Sequence, residues 1–139
     1  MLKEDKLSHY IETYKIEWAD SLPENCPPQD VLVPEEEQFY RLLLNEDIIV
    51  DEDWKSYAEL YPGKKYSGDQ LILASGLSIF NTSDLSNLKK LPSMRRFKGV
   101  ARIKLYPTDG VLKKTGRANH YTWWGTTAFN ADNVEIIKK

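Results

Sequence analysis

At 139 residues, with 41% hydrophobic and 12% aromatic side chains, the chain is long enough to bury one core and too short for two full domains. Four Trp, eight Tyr and four Phe exclude a disordered chain, which lacks the apolar surface to offset its conformational entropy; the single cysteine, Cys26, excludes an intrachain disulfide and a four-cysteine zinc site. The formal charge of −2 hides a segregation: Met1–Leu88 carries 7 Lys and Arg against 18 Asp and Glu, whereas Lys89–Arg117 carries 10 basic residues against Asp109 alone.

Leu7, Tyr10, Ile11 and Tyr14 recur at helical spacing and Trp18 continues their face, which predicts an amphipathic helix from Lys3 to about Ala19. This segment has no uninterrupted apolar stretch, so neither a signal peptide nor a membrane anchor is expected, and a cytoplasmic location is. Pro23, Pro27 and Pro28 predict an extended linker, because proline removes donors and restricts the residue before it. Residues 21–37 thus separate an N-terminal helix over 1–20 from a body over 38–139, all within one domain. Gln38–Leu44 has strand-like composition, with a helix from Pro34 as the competing expectation. As a strand it places Arg41 beside Phe39 and Leu43, where a guanidinium requires an anion or a ring; an ion pair with a local carboxylate and a ligand-binding role are the two alternatives.

Asp51–Leu60 predicts a short helical turn carrying Trp54, Tyr57 and Ala58, with Tyr61 following, broken by Pro62-Gly63. The apolar runs Ile48–Val50 and Leu71–Ala74 are short enough for buried strands or loop anchors. Leu77–Phe80 is expected to be a buried strand, followed by a helix capped by Asn81 or Thr82 and carrying Leu85, Leu88 and Leu91. Lys98–Tyr106 alternates as a strand, with Ala101, Ile103 and Leu105 on one side and Val100, Arg102, Lys104 and Tyr106 on the other. Pro107-Thr108-Asp109-Gly110 is a turn signal that predicts a hairpin closed by Val111–Thr115. His120–Trp124 and Val134–Ile137 complete the strands. The order predicts an α+β fold: a single small domain, mostly antiparallel sheet, with an N-terminal amphipathic helix and one or two further short helices.

No phosphate-binding glycine loop, dinucleotide fingerprint, zinc helix or calcium loop is present. His9 and His120 lie far apart beside one cysteine, so no metal is expected, and no cofactor is implied. Cys26 reads as a small buried hydrophobe, a nucleophile needing a base that the sequence does not locate. In a strand His120, Thr122 and Trp124 share a face that would suit stacking a planar ring and bonding a sugar or phosphate; a rim histidine against core tryptophans is the alternative. Arg95, Arg96, Lys98, Arg102 and Lys104 lie near Phe97, Tyr106, Tyr121, Trp123 and Trp124 in sequence. Basic and aromatic residues on one sheet face are what single-stranded nucleic-acid binders use. The alternative is that the basic segment packs beside the acidic half and the two screen each other.

Cys26-Pro27-Pro28-x-Asp30, Phe39-Tyr40-Arg41-Leu42, Gly76-Leu77-Ser78-Ile79-Phe80 and His120-x-x-Trp123-Trp124 together resemble a group of small uncharacterised bacterial proteins sharing this succession. That resemblance implies a bacterial cytosolic origin and no particular activity. Tyr40-Arg41, Ser75–Phe80 with the segment after it, and His120-Tyr121 also resemble, more faintly, the ADP-ribosyltransferase-like fold. This likeness implies a nucleotide-handling site built from Arg41, Ser78 and His120, although Glu135 is the only glutamate in the last third. The leading expectation is a binding or accessory module whose basic, aromatic sheet face meets an anionic partner, either an acidic protein surface or nucleic acid. A nucleotide-handling enzyme and a toxin-neutralising or phage-defence partner protein are the alternatives.

Overall fold

A computed structural model describes residues 3–24, 26–82, 96–116, 119–130 and 134–137. The amphipathic spacing at the N-terminus forms helix α1, Lys3–Tyr14, with Leu7 and Tyr10 buried. It stops at Tyr14 rather than near Ala19, because Lys15 adopts φ 52 and turns the chain out of the helix. Trp18 therefore does not continue the helical face; it pairs with Thr126 as an isolated β-bridge. After the proline-containing segment, Glu37–Leu43 is strand β1, so the strand expectation holds over the helical one.

Asp51–Trp54 forms a 3-10 turn and Tyr57–Leu60 a short helix, α2, whose Ser56 cap accepts the Glu59 N–H at 3.3 Å while Glu59 reaches back to the Ser56 N–H. Leu71–Ala74, expected as a strand or loop anchor, instead belongs to helix α3, Asp69–Ala74. Gly68, at φ 46, turns the chain into it, and the Ser75 hydroxyl closes its end by donating to the Leu71 carbonyl at 2.8 Å. Strand β2, Leu77–Phe80, follows as expected. The helix predicted beyond it, with Leu85, Leu88 and Leu91, falls on residues 83–95, outside the described residues, as does Arg95. Strands β3 (Gly99–Leu105), β4 (Gly110–Lys114), β5 (His120–Gly125) and β6 (Val134–Ile137) complete the fold.

All six strands join one antiparallel sheet in the order β4-β5-β2-β1-β3-β6, which establishes the α+β class. The predicted hairpin of β3 with β4 does not form. Both edges of β3 are taken, by β1 from Glu37↔Leu105 to Leu43↔Gly99 and by β6. Pro107–Asp109 winds into a 3-10 turn that delivers the chain to the far side of the sheet. Four interstrand steps of about 4.8 Å would separate β3 and β4 by about 19 Å in a flat sheet. The link from Leu105 to Gly110 includes that 3-10 turn, rising only about 2 Å per residue, and cannot reach so far. The sheet therefore curls on itself.

The curl encloses a core of Phe39, Ile79, Ile103, Leu105, Leu112 and Trp123, one strand after another contributing its inward residue. On the outer face α1 covers β4 and β5 through Leu7, Tyr10, Val111 and Trp124. Tyr10 also ties the 3-10 turn down, donating to the Pro107 carbonyl at 2.7 Å and the Gly110 carbonyl at 3.1 Å. A third cluster, Leu42, Phe80 and Val100 with Tyr40, Phe97 and Ile137 against them, lies on the outer face of β1, β2 and β3.

Candidate ligand-binding cleft

A cleft of about 400 Å³ is lined by residues of β1, β2 and β5, of the segment from Leu44 through α2 to Tyr61, and by Arg96 and Phe97. Strand alternation puts Leu42, Ser78, Phe80 and His120 on the outer face of the sheet and Arg41 and Leu77 on the inner one, with Phe39 and Ile79. Leu42, Leu60, Leu77, Phe80 and Phe97 supply apolar walls; Arg41, Ser78, Arg96 and His120 are the polar residues on it that sequence reasoning singled out. The register that assembles them is Tyr40↔Phe80 across β1 and β2, and Ser78↔Thr122 and Phe80↔His120 across β2 and β5.

Arg41 is anchored by two backbone carbonyls, with Nε donating to Asp53 O at 2.7 Å and Nη1 to Ser78 O at 2.7 Å. No carboxylate lies within ion-pair distance of it among the described residues, so the satisfaction expected from an acidic side chain comes from peptide oxygens. Burial lowers its pKa to about 10, while Asp53 and Tyr57 oppose that shift; it is a cation at neutral pH. The Asp53 carboxylate is spent on the backbone, accepting the Leu44 N–H at 2.9 Å and the Val50 N–H at 2.8 Å.

Arg96 stands at the rim. Its guanidinium donates to the Tyr61 hydroxyl at 2.8 Å and to the Tyr57 hydroxyl at 3.4 Å, and lies 4.8 Å from the Phe97 ring centre. Tyr57 and Tyr61, four residues apart, stack with an interplanar angle of 19° and hold the fork in place without neutralising it. At His120, Nδ1 donates to the Thr115 carbonyl at 2.7 Å. Burial lowers the imidazole pKa below its ordinary value, against the pull of that carbonyl. The ring is therefore neutral near pH 7, and Nε2 is left as an acceptor.

No protein-family model matches the chain, and no curated protein or solved structure is significantly similar to it. The Phe39–Leu42, Gly76–Phe80 and His120–Trp124 strings nevertheless fall on three neighbouring strands, β1, β2 and β5.

The remaining expected site residues are placed elsewhere. Trp123 and Trp124 are 2% and 1% exposed, on opposite faces of β5, one in the curled core and the other beneath α1. Their indoles donate to the Asp109 and Ile72 carbonyls, so neither offers a surface for stacking. Tyr121 also packs inward, edge-on to Phe39. Arg102 pairs with Glu135 at 3.4 Å, Lys104 with Glu36 at 3.2 Å, and Lys113 with Asp30 at 2.9 Å. The Glu36 contact raises the Lys104 pKa. Three of the six described basic residues of this segment are thus screened by carboxylates of the same chain, and Lys98 is exposed beside them. Tyr57, Tyr61 and Phe80 were not expected in the site; the i, i+4 spacing of the two tyrosines was the available signal.

No helix among the described residues is long and apolar enough to cross a membrane. Among the described residues no group of three or more His, Cys, Asp and Glu is placed to hold a metal ion.

Proposed function

We propose that this chain is a cytoplasmic binding module that takes an anionic ligand in the cleft between α2 and strands β1, β2 and β5. One observation carries the reading: Arg41 and Arg96 both line the cleft and neither has a carboxylate at ion-pair distance among the described residues, whereas Arg102, Lys104 and Lys113 on β3 and β4 do. The Arg41 guanidinium is partly desolvated without a counter-ion at ion-pair distance, so the cost of removing it from water is already met by the fold, and Arg96 adds an exposed guanidinium at the rim. The anionic partner expected from composition is retained, and its contact moves from the sheet face to the cleft.

A nucleotide-handling enzyme is the second reading, favoured by the meeting of Arg41, Ser78 and the neutral imidazole of His120 in one cleft. Both are tested by isothermal titration calorimetry of the full chain with inorganic phosphate, simple carboxylates, nucleoside monophosphates and NAD at two salt concentrations. Binding of an anion that weakens with salt and disappears in Arg96→Glu is the expected result. Equal affinity for a neutral analogue, or binding unchanged by Arg96→Glu, overturns the anion reading. Heat with NAD lost in Arg41→Ala would favour the second reading over the first.

A further inference from the structure

The chemistry of the cleft narrows the ligand. We infer that it takes a compact aromatic carboxylate whose ring carries a hydroxyl or N–H donor; this rests on the anion-binding reading above. Size comes first. A volume of about 400 Å³ lies near the lower end of ligand sites, which run from roughly 300 to 1,000 Å³, and equals on the order of thirteen water volumes. A single-ring acid fits such a space, whereas a dinucleotide, a folded peptide loop or a stretch of polynucleotide does not.

Charge comes second. Among the described residues the cleft is lined by three cations, Arg41, Lys55 and Arg96, against two carboxylates, Glu52 and Asp53, with His120 neutral. One negative charge balances that set, and a phosphate dianion would exceed it. A planar guanidinium fork matches a carboxylate with two parallel N–H···O bonds. Arg96, already oriented by Tyr57 and Tyr61, has little left to lose in rotamer freedom when it makes them.

The walls come third. Phe80 and Phe97 supply rings, and Leu42, Leu60 and Leu77 are further apolar residues of the lining, which favours a flat apolar body over a ribose with its hydroxyl groups. The last term is His120. With its Nδ1 proton committed to Thr115, Nε2 can only accept, so a ligand that brings an O–H or N–H to it gains a hydrogen bond that an unsubstituted ring does not.

The test is calorimetry of the full chain at pH 7.5 and low salt with benzoate, the three hydroxybenzoate isomers, cyclohexanecarboxylate, adenosine monophosphate and inorganic phosphate. At least one hydroxybenzoate is expected to bind about tenfold more tightly than benzoate, and benzoate more tightly than cyclohexanecarboxylate. In His120→Phe the advantage of the hydroxyl group vanishes while benzoate still binds, which also shows that the variant is folded. Should all hydroxybenzoates match benzoate in the unmodified protein, the donor assignment is overturned without recourse to any variant. Tighter binding of adenosine monophosphate or phosphate than of any acid, lost in Arg96→Glu, overturns the aromatic carboxylate and leaves the anion-binding reading standing. The absence of binding by every anion overturns both.

Discussion

Asp53→Ala is expected to cost about 3 kcal/mol of stability, more than any other single carboxylate in the cleft. The side chain is 2% exposed, and its two oxygens take the Leu44 and Val50 N–H groups at 2.9 and 2.8 Å, clipping shut the loop between β1 and the 3-10 turn. A hydrogen bond to a charged acceptor contributes roughly 1.5–3 kcal/mol. The lower figure applies here, because Leu44 and Val50 are only half-buried and water reaches their N–H groups once the carboxylate is gone; two such bonds come to about 3 kcal/mol. For a chain of this length that lowers Tm by roughly 10 °C. Asp53→Asn keeps one oxygen and turns an amide N–H group toward the second backbone N–H, so it recovers at most about half of the loss. Thermal and urea unfolding at pH 7, followed by circular dichroism, measure both, with an unchanged urea slope as the sign that only stability moved. A loss below about 1 kcal/mol for the alanine variant would show that the clip is not what holds this loop, and with it the Asp53 carbonyl that anchors Arg41.

Two further predictions concern titratable groups. The Asp20 carboxyl is pushed up to about 6 from an ordinary 3.8, first by partial burial and then by its hydrogen bond with Glu59 and the charge on Glu59. The folded state thus takes up this proton before the unfolded chain does, so the stabilisation is fully present below about pH 4 and is lost as pH rises through about 6. Asp20 is exposed overall, and solvent screening holds the effect under about 1 kcal/mol. Asp20→Asn should remove that slope, and a difference in urea midpoint between the two proteins that stays constant from pH 4 to 7 contradicts it. At Cys26, burial pushes the thiol up to about 11 from 9.0, against a hydrogen bond from Trp124, making the reactive thiolate roughly a hundredfold scarcer at pH 8. Alkylation by iodoacetamide should be at least that much slower in the native protein than in urea; mass spectrometry measures it, and near-equal rates refute it.

Much of the local structure was legible because it depends on short-range periodicity and turn chemistry. The i, i+3, i+4 spacing of Leu7, Tyr10, Ile11 and Tyr14 gave α1, and the alternation through Ala101, Ile103 and Leu105 gave β3 with the correct inward face. The end of α1 was not legible, since Lys15 has no side-chain property that requires φ 52. Trp18 instead finds its partner in Thr126, far along the chain. Leu71–Ala74 was ambiguous for a related reason: four apolar residues fit one helical turn as well as a strand.

The candidate site was half legible. Arg41, Ser78, Arg96 and His120 were identified by type and setting and do line one cleft. Trp123 and Trp124 were expected in the same surface, but adjacent residues on a strand point to opposite faces, and both faces of β5 are covered at those positions. Segregation of charge was visible from composition alone. Only the tertiary structure shows that Lys104 and Lys113 meet Glu36 and Asp30 of the acidic half, residues far apart in sequence, while Arg102 meets Glu135 near the C-terminal end.

By itself the sequence determined the α+β class, the kind of most elements, the turn at Pro107–Gly110 and the segregation of charge, all consequences of neighbours within a few residues. Only the tertiary structure decided that β3 and β4 part company at that turn, that the sheet curls, and that Arg41 and Arg96 line one cleft with His120 and have no carboxylate at ion-pair distance among the described residues. These depend on which edges are already occupied, a long-range competition that no local pattern encodes.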